Sequence, residues 1–140
     1  MRFMMFVRAD KNTEAGVLPS KELITAMGRF NEEMVKAGVM LAGEGIQPSA
    51  KGARITFSRG QTTVTDGPFP ARELVAGFWM IQVKSRDEAV AWAKRVPFTD
   101  GEVIEIRQVF EASDFPAEVL PPQDAAREQS MREELRRKRR

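Results

Sequence analysis

At 140 residues the chain has room for one domain and a tail, and that is long enough to fold without a disulfide or a metal. It has no cysteine, histidine or tyrosine, which excludes thiolate and imidazole nucleophiles and metal ligands and leaves acid/base chemistry to Asp, Glu, Lys or water. The net charge of +2 is unevenly spread, −1 over residues 1–123 and +3 over 124–140, so no basic face for nucleic acid is expected on the domain.

Arg2 to Arg8 is a short apolar run and predicts a buried strand; it is too short and too charged for a signal peptide. No run approaches the roughly 20 apolar residues of a membrane span, so a cytoplasmic protein with no membrane partner is expected. Asp10 to Gly16 reads as a loop. Ser20 caps a helix with Leu23, Met27, Phe30 and Met34 on one face, widened by Ile24 and Val35, and Gly38 stops it.

A second strand starts at Val39 and runs into Gly43-Glu44-Gly45-Ile46, where Gln47-Pro48-Ser49 breaks it. Arg54–Ser58 and Thr62–Thr65 form a hairpin around Gly60. Gly77–Lys84 is the strongest strand in the chain. Ser85-Arg86-Asp87-Glu88 is a capping box for a helix with Ala89, Trp92, Ala93 and Val96 inward, and Pro97 ends it. Glu102–Phe110 alternates as the last strand, and Pro116, Pro121 and Pro122 mark a linker to a solvated or disordered tail.

Without the hairpin the order is βαββαβ, which predicts an α+β, ferredoxin-like fold with both helices on one face of the sheet. The opposite face would leave Met4, Phe6, Phe78 and Met80, or their alternates, uncovered. A second copy of the sheet is the simplest cover, so a homodimer is expected.

Several stretches resemble the YCII-related family, in the branch named for its Asp-Gly-Pro-Phe motif. They are Gly43–Ser49, Lys51–Arg54, Thr63–Phe69, Ala76–Trp79, Ala91–Ala93 and Glu105–Phe110, covering residues 1 to about 115 in order. The resemblance implies a domain over 1–115, a linker and tail over 116–140, a dimeric α+β barrel and a cleft near the subunit interface. It implies no established reaction. Gln47 stands where related sequences often carry histidine, and the segment after Phe69 is one residue short, with Arg72 and Glu73 matching the family's Lys and Glu.

Each candidate residue has two readings. Asp66 either closes its turn as an Asx-turn, with Phe69 plugging the core, or presents a carboxylate to a cleft. Glu44, between two glycines, either faces solvent or an arginine or enters the cleft. Arg107 either pairs with Glu44 or Asp66 or binds a ligand carboxylate or phosphate. Trp79 and Trp92 suit the core.

The expected site is an unknown small molecule in a dimer cleft, with Asp66 and Glu44 catalytic if the protein is an enzyme. Gln47, Ser49, Glu73 and Arg107 bind the ligand, and no metal or cofactor is involved. The alternative is a non-catalytic accessory or regulatory protein acting through protein partners in a stress or sigma-factor setting.

Overall fold

The structure, a computed structural model, describes residues 1–139, in two compact units, Met1–Val109 and a second that begins at Phe110. In the first unit β1 (Arg2–Arg8) is central and β2 (Met40–Gly45) forms one edge of a four-stranded sheet. Next to β2 lies β5 (Val75–Gln82), and β6 (Ile104–Gln108) forms the far edge, so the order is β2-β5-β1-β6 with every neighbour antiparallel. This is the ferredoxin-like arrangement that the element order predicts. The hairpin, β3 (Ala53–Ser58) and β4 (Gln61–Asp66), forms a two-stranded sheet of its own. Arg59 and Gly60 both have positive φ at its tip, the backbone of a tight hairpin turn.

Two helices supply the core. In α2 (Lys21–Lys36) Ser20 Oγ accepts from Leu23 N, as its N-cap position requires, and Gly38 follows with φ 72°. Phe30 and Met34 are buried, whereas Ile24 and Val35 are exposed on the outer side; the stripe is narrower than predicted. They meet Phe3, Met5, Trp79 and Ile81 from the sheet and Ala89 from α3 (Arg86–Ala93). Odd-numbered residues of β1 and β5 face these helices. Met4, Phe6, Phe78 and Met80 lie on the opposite face, half-buried and outside the core cluster.

The α3 capping box forms by halves. Ser85 Oγ accepts from Glu88 N at 3.1 Å, but the Glu88 carboxylate reaches past the cap residue to Lys84 N at 2.9 Å. Ser85→Ala leaves the Glu88 amide without this partner and is expected to cost about 1 kcal/mol. Thermal unfolding should show this as a fall of about 3 °C in Tm.

Asp10–Gly16 is not all loop. Asp10 Oδ1 accepts from Thr13 N and Thr13 Oγ1 accepts from Asp10 N, both at 2.8 Å, a reciprocal cap that winds Lys11–Glu14 into a single helical turn, α1.

In the second unit α4 (Pro122–Lys138) is a helix with no buried residue. Proline at its first position needs no amide partner, and Glu128–Arg132 and Glu134–Lys138 pair along its surface. The tail expected to be solvated is therefore a solvated helix; Arg140, the last residue of its basic run, lies outside the described residues. Among the described residues no helix is long and apolar enough to cross a membrane.

Candidate functional site

Three loops converge on Ser49. The first is α1, whose cap places Glu14 at the end of the turn. The second is the short 3₁₀ turn Ser49–Lys51 that follows Pro48. The third is the Asp66-Gly67-Pro68-Phe69 turn after β4, in which the Gly67–Pro68 peptide is cis.

Ser49 ties all three together. Its backbone N donates to Glu14 Oε1 at 2.9 Å, and its hydroxyl donates to Glu14 Oε2. The same hydroxyl oxygen accepts from Phe69 N at 2.9 Å, and Gly67 N donates to Gly52 O at 3.1 Å. Both Glu14 and Ser49 are half-buried. A carboxylate with both oxygens engaged by one residue is fixed in direction, so it costs a ligand little further ordering.

This clamp borders a cleft of about 280 Å³ lined by Glu14, Ile46, Gln47, Pro48, Ser49, Lys51, Gly52, Leu74 and Val75. One wall is apolar and the rim is polar, with Lys51 Nζ donating to Gln47 Oε1 at 3.3 Å. That combination suits a small ligand with an apolar body and a polar end. A larger hollow of about 340 Å³ runs along α2, but Lys21, Glu22, Thr25, Ala26 and Arg29 all come from one helix. No second element encloses it, so it is an open groove on the helix surface. Among the described residues no three carboxylates converge as a metal site would require.

The structure gathers Gln47 and Ser49 into this cleft and disperses the other candidates. Asp66 is exposed at the end of β4, and its carboxylate makes no hydrogen bond or ion pair with any described residue. The Asx-turn is therefore absent: the Ser49 hydroxyl, not Asp66, accepts from the turn's amide. Nor does Phe69 plug the core. It is half-buried beneath the Arg54 guanidinium, 4.0 Å from its ring centroid. Glu73 is exposed in the 3₁₀ turn Ala71–Glu73, near where Arg8 Nη2 donates to Arg72 O at 2.5 Å.

Glu44 and Arg107 occupy opposite edges of the sheet. Glu44 pairs in register with Phe78 on β5 and Arg107 with Met4 on β1, so two strands separate them, roughly 14 Å at the usual spacing. They form no ion pair, and Arg107 pairs with neither Glu44 nor Asp66. Both are exposed along the rim of the sheet face that the helices leave open.

Glu14 was missed because the 10–16 segment reads as loop. The signal available was the Asp10-x-x-Thr13 spacing, a cap with a threonine in the place more often held by Glu or Gln.

No curated protein matches the chain. Residues 1–113, which span the sheet, both covering helices, the hairpin and the Ser49 clamp, match the YCII-related domain. The chain belongs to the YCII-related domain family.

Proposed function

We propose that the protein binds a small organic molecule in the cleft beside Ser49, within a two-fold homodimer that buries the open sheet face. The observation that carries this reading is the Glu14 carboxylate, held by both donors of Ser49 at the border of a half-apolar cleft. Gln47 and Lys51 are the exposed polar groups placed to take the ligand's polar end. If the bound molecule is turned over, Glu14 is the acid/base group we propose, ahead of the exposed Asp66 and Glu44. Arg107 and Glu73 are proposed as rim residues that a longer ligand or the partner copy reaches.

The same proposal places the chain in the Asp-Gly-Pro-Phe branch of the family, supported by the Thr63–Phe69 stretch and by Gly67 packing against Ser49. It also places the protein in the cytoplasm, since a chain without cysteine needs no oxidising compartment.

A thermal-shift panel of small organic acids, amides and amines tests the site. At least one member is expected to raise Tm of the wild type, by about 8 °C at a hundredfold excess over Kd. Gln47→Ala, Lys51→Ala and Glu14→Gln should each reduce that shift, while Asp66→Asn keeps it. A shift lost in Asp66→Asn and Glu44→Gln but kept in the cleft variants would move the site to those carboxylates. No shift across the panel, with a protein partner lost on deleting residues 116–140, would favour the accessory reading.

A further inference from the structure

One short turn of chain carries both polar ends of the cleft beside Ser49. Ser49 opens the 3₁₀ turn and holds Glu14, and Lys51 closes the same turn. Lys51 N donates to Pro48 O at 3.1 Å and Gly52 N to Ser49 O at 2.9 Å, so the backbone between the two ends is pinned. Glu14 and Lys51 both line the cleft, yet they do not pair with each other. Among the described residues neither of them forms an ion pair.

The two ends have opposite hydrogen-bonding character. Each Glu14 carboxylate oxygen accepts once from Ser49 and keeps a second lone pair, so this end offers acceptors only. At the other end Lys51 Nζ donates to Gln47 Oε1 at 3.3 Å. That leaves two ammonium hydrogens and the Gln47 amide hydrogens, so donors dominate there.

We infer that the ligand is a small amino carboxylate, with its ammonium on Glu14 and its carboxylate on Lys51 and Gln47. The inference rests on the small-molecule reading above and names the chemical class. Ions of a single sign fit worse. A phosphate or a simple acid would meet the one ammonium and face the Glu14 carboxylate, and a simple amine would meet Glu14 and face Lys51. A molecule carrying both charges satisfies both residues and leaves neither charge in the cleft without a partner.

Size and lining define the rest of the molecule. A volume of about 280 Å³ lies at the small end for ligand pockets, which suits a molecule of amino-acid size. Ile46, Pro48, Leu74 and Val75 supply an apolar wall, which favours an aliphatic body. Ile46 is 48% exposed and lies outside the core cluster, so a body placed against it removes apolar surface from water.

Calorimetric titration of the full chain with matched probes tests this. Leucine is compared with 4-methylpentanoate, which lacks the ammonium, and with 3-methylbutylamine, which lacks the carboxylate. The set of 6-aminohexanoate, hexanoate and hexylamine repeats the comparison with the charges further apart. In at least one set the amino carboxylate is expected to bind at least about tenfold tighter than either counterpart. Glu14→Gln, which keeps an oxygen for Ser49 N, should weaken it to the level of the acid, and Lys51→Met to that of the amine. An acid or amine that binds as tightly as its amino carboxylate would overturn the inference and leave the small-molecule cleft standing. So would silence from all six probes when another member of the wider panel still raises Tm. A preference unchanged in both variants would put the ligand outside this cleft and overturn both readings.

Discussion

Gly67→Ala is expected to lower stability by about 3 kcal/mol or more, a fall of roughly 10 °C in Tm, although the residue is not in the core. The cause is space, not backbone conformation, since Gly67 does not have positive φ. A Cβ at this position would collide with the Ser49 carbonyl oxygen, come within 2.6 Å of its carbon and lie 3.2 Å from Ala50 N. All three atoms are backbone, so no side chain can swing aside.

Relief would require the 3₁₀ turn Ser49–Lys51 to separate from the Asp66–Phe69 turn. That movement breaks Gly67 N to Gly52 O and Phe69 N to Ser49 Oγ, and it displaces Ser49 from Glu14. The substitution should therefore also abolish ligand shifts at the cleft. Gly45→Ala is the control: nothing lies within 4 Å of the added Cβ, and its cost should stay within about 0.5 kcal/mol. A Gly67→Ala protein as stable as this control would show that the two turns are not in close contact.

The architecture was legible because its signals are local and periodic. Ser20 and Ser85 announce their helices through side chains that bond their own amides, and Phe30 and Met34 fall on a helical stripe. Alternation along β1 and β5 sorts Phe3, Met5, Trp79 and Ile81 from Met4, Phe6, Phe78 and Met80 with no structure needed. Legibility ended where a residue's role depends on a partner distant in the chain. Glu14 and Ser49 are 35 positions apart, and Ser49 and Phe69 are 20 apart.

The pattern around Asp66 drew attention to its carboxylate because a charged residue in a turn motif suggests chemistry. The structure assigns the constraint to its neighbours. Gly67 is excluded from bearing a side chain and Phe69 donates its amide, while the Asp66 carboxylate has no hydrogen bond or ion pair with any described residue. Similarly, Glu44 and Arg107 suggested an ion pair through opposite charge, and only strand order shows that two strands lie between them.

Trp79→Ala should cost about 4 kcal/mol, a large share of the 5–15 kcal/mol that stabilises a typical domain. Trp79 is buried on β5 and joins the sheet to α2 in two ways. Its ring meets Phe30 edge-on, with centroids 5.6 Å apart and planes at 82°, and its Nε1 donates to Asn31 Oδ1 at 2.9 Å. Trp79→Phe keeps the aromatic packing but loses the donor and leaves half-buried Asn31 unpaired; about 1–2 kcal/mol is expected.

The indole also accounts for a glycine. Gly43 lies opposite Trp79 in the β2–β5 register, and a Cβ there would stand 2.7 Å from Trp79 Cδ1 and 3.2 Å from Nε1. The third neighbour, Met40 Cε, is also at 2.7 Å but ends a flexible side chain that can rotate away. The indole cannot move without losing Phe30 or Asn31. Gly43→Ala should therefore cost about 1–3 kcal/mol in the wild type and far less in the Trp79→Ala background. A double-mutant cycle by denaturant unfolding should return a coupling of at least about 1 kcal/mol between the two positions. Additive costs would mean that Gly43 answers to Met40 or to the strand itself, and the close fit between indole and glycine would not be what aligns β2 with the core.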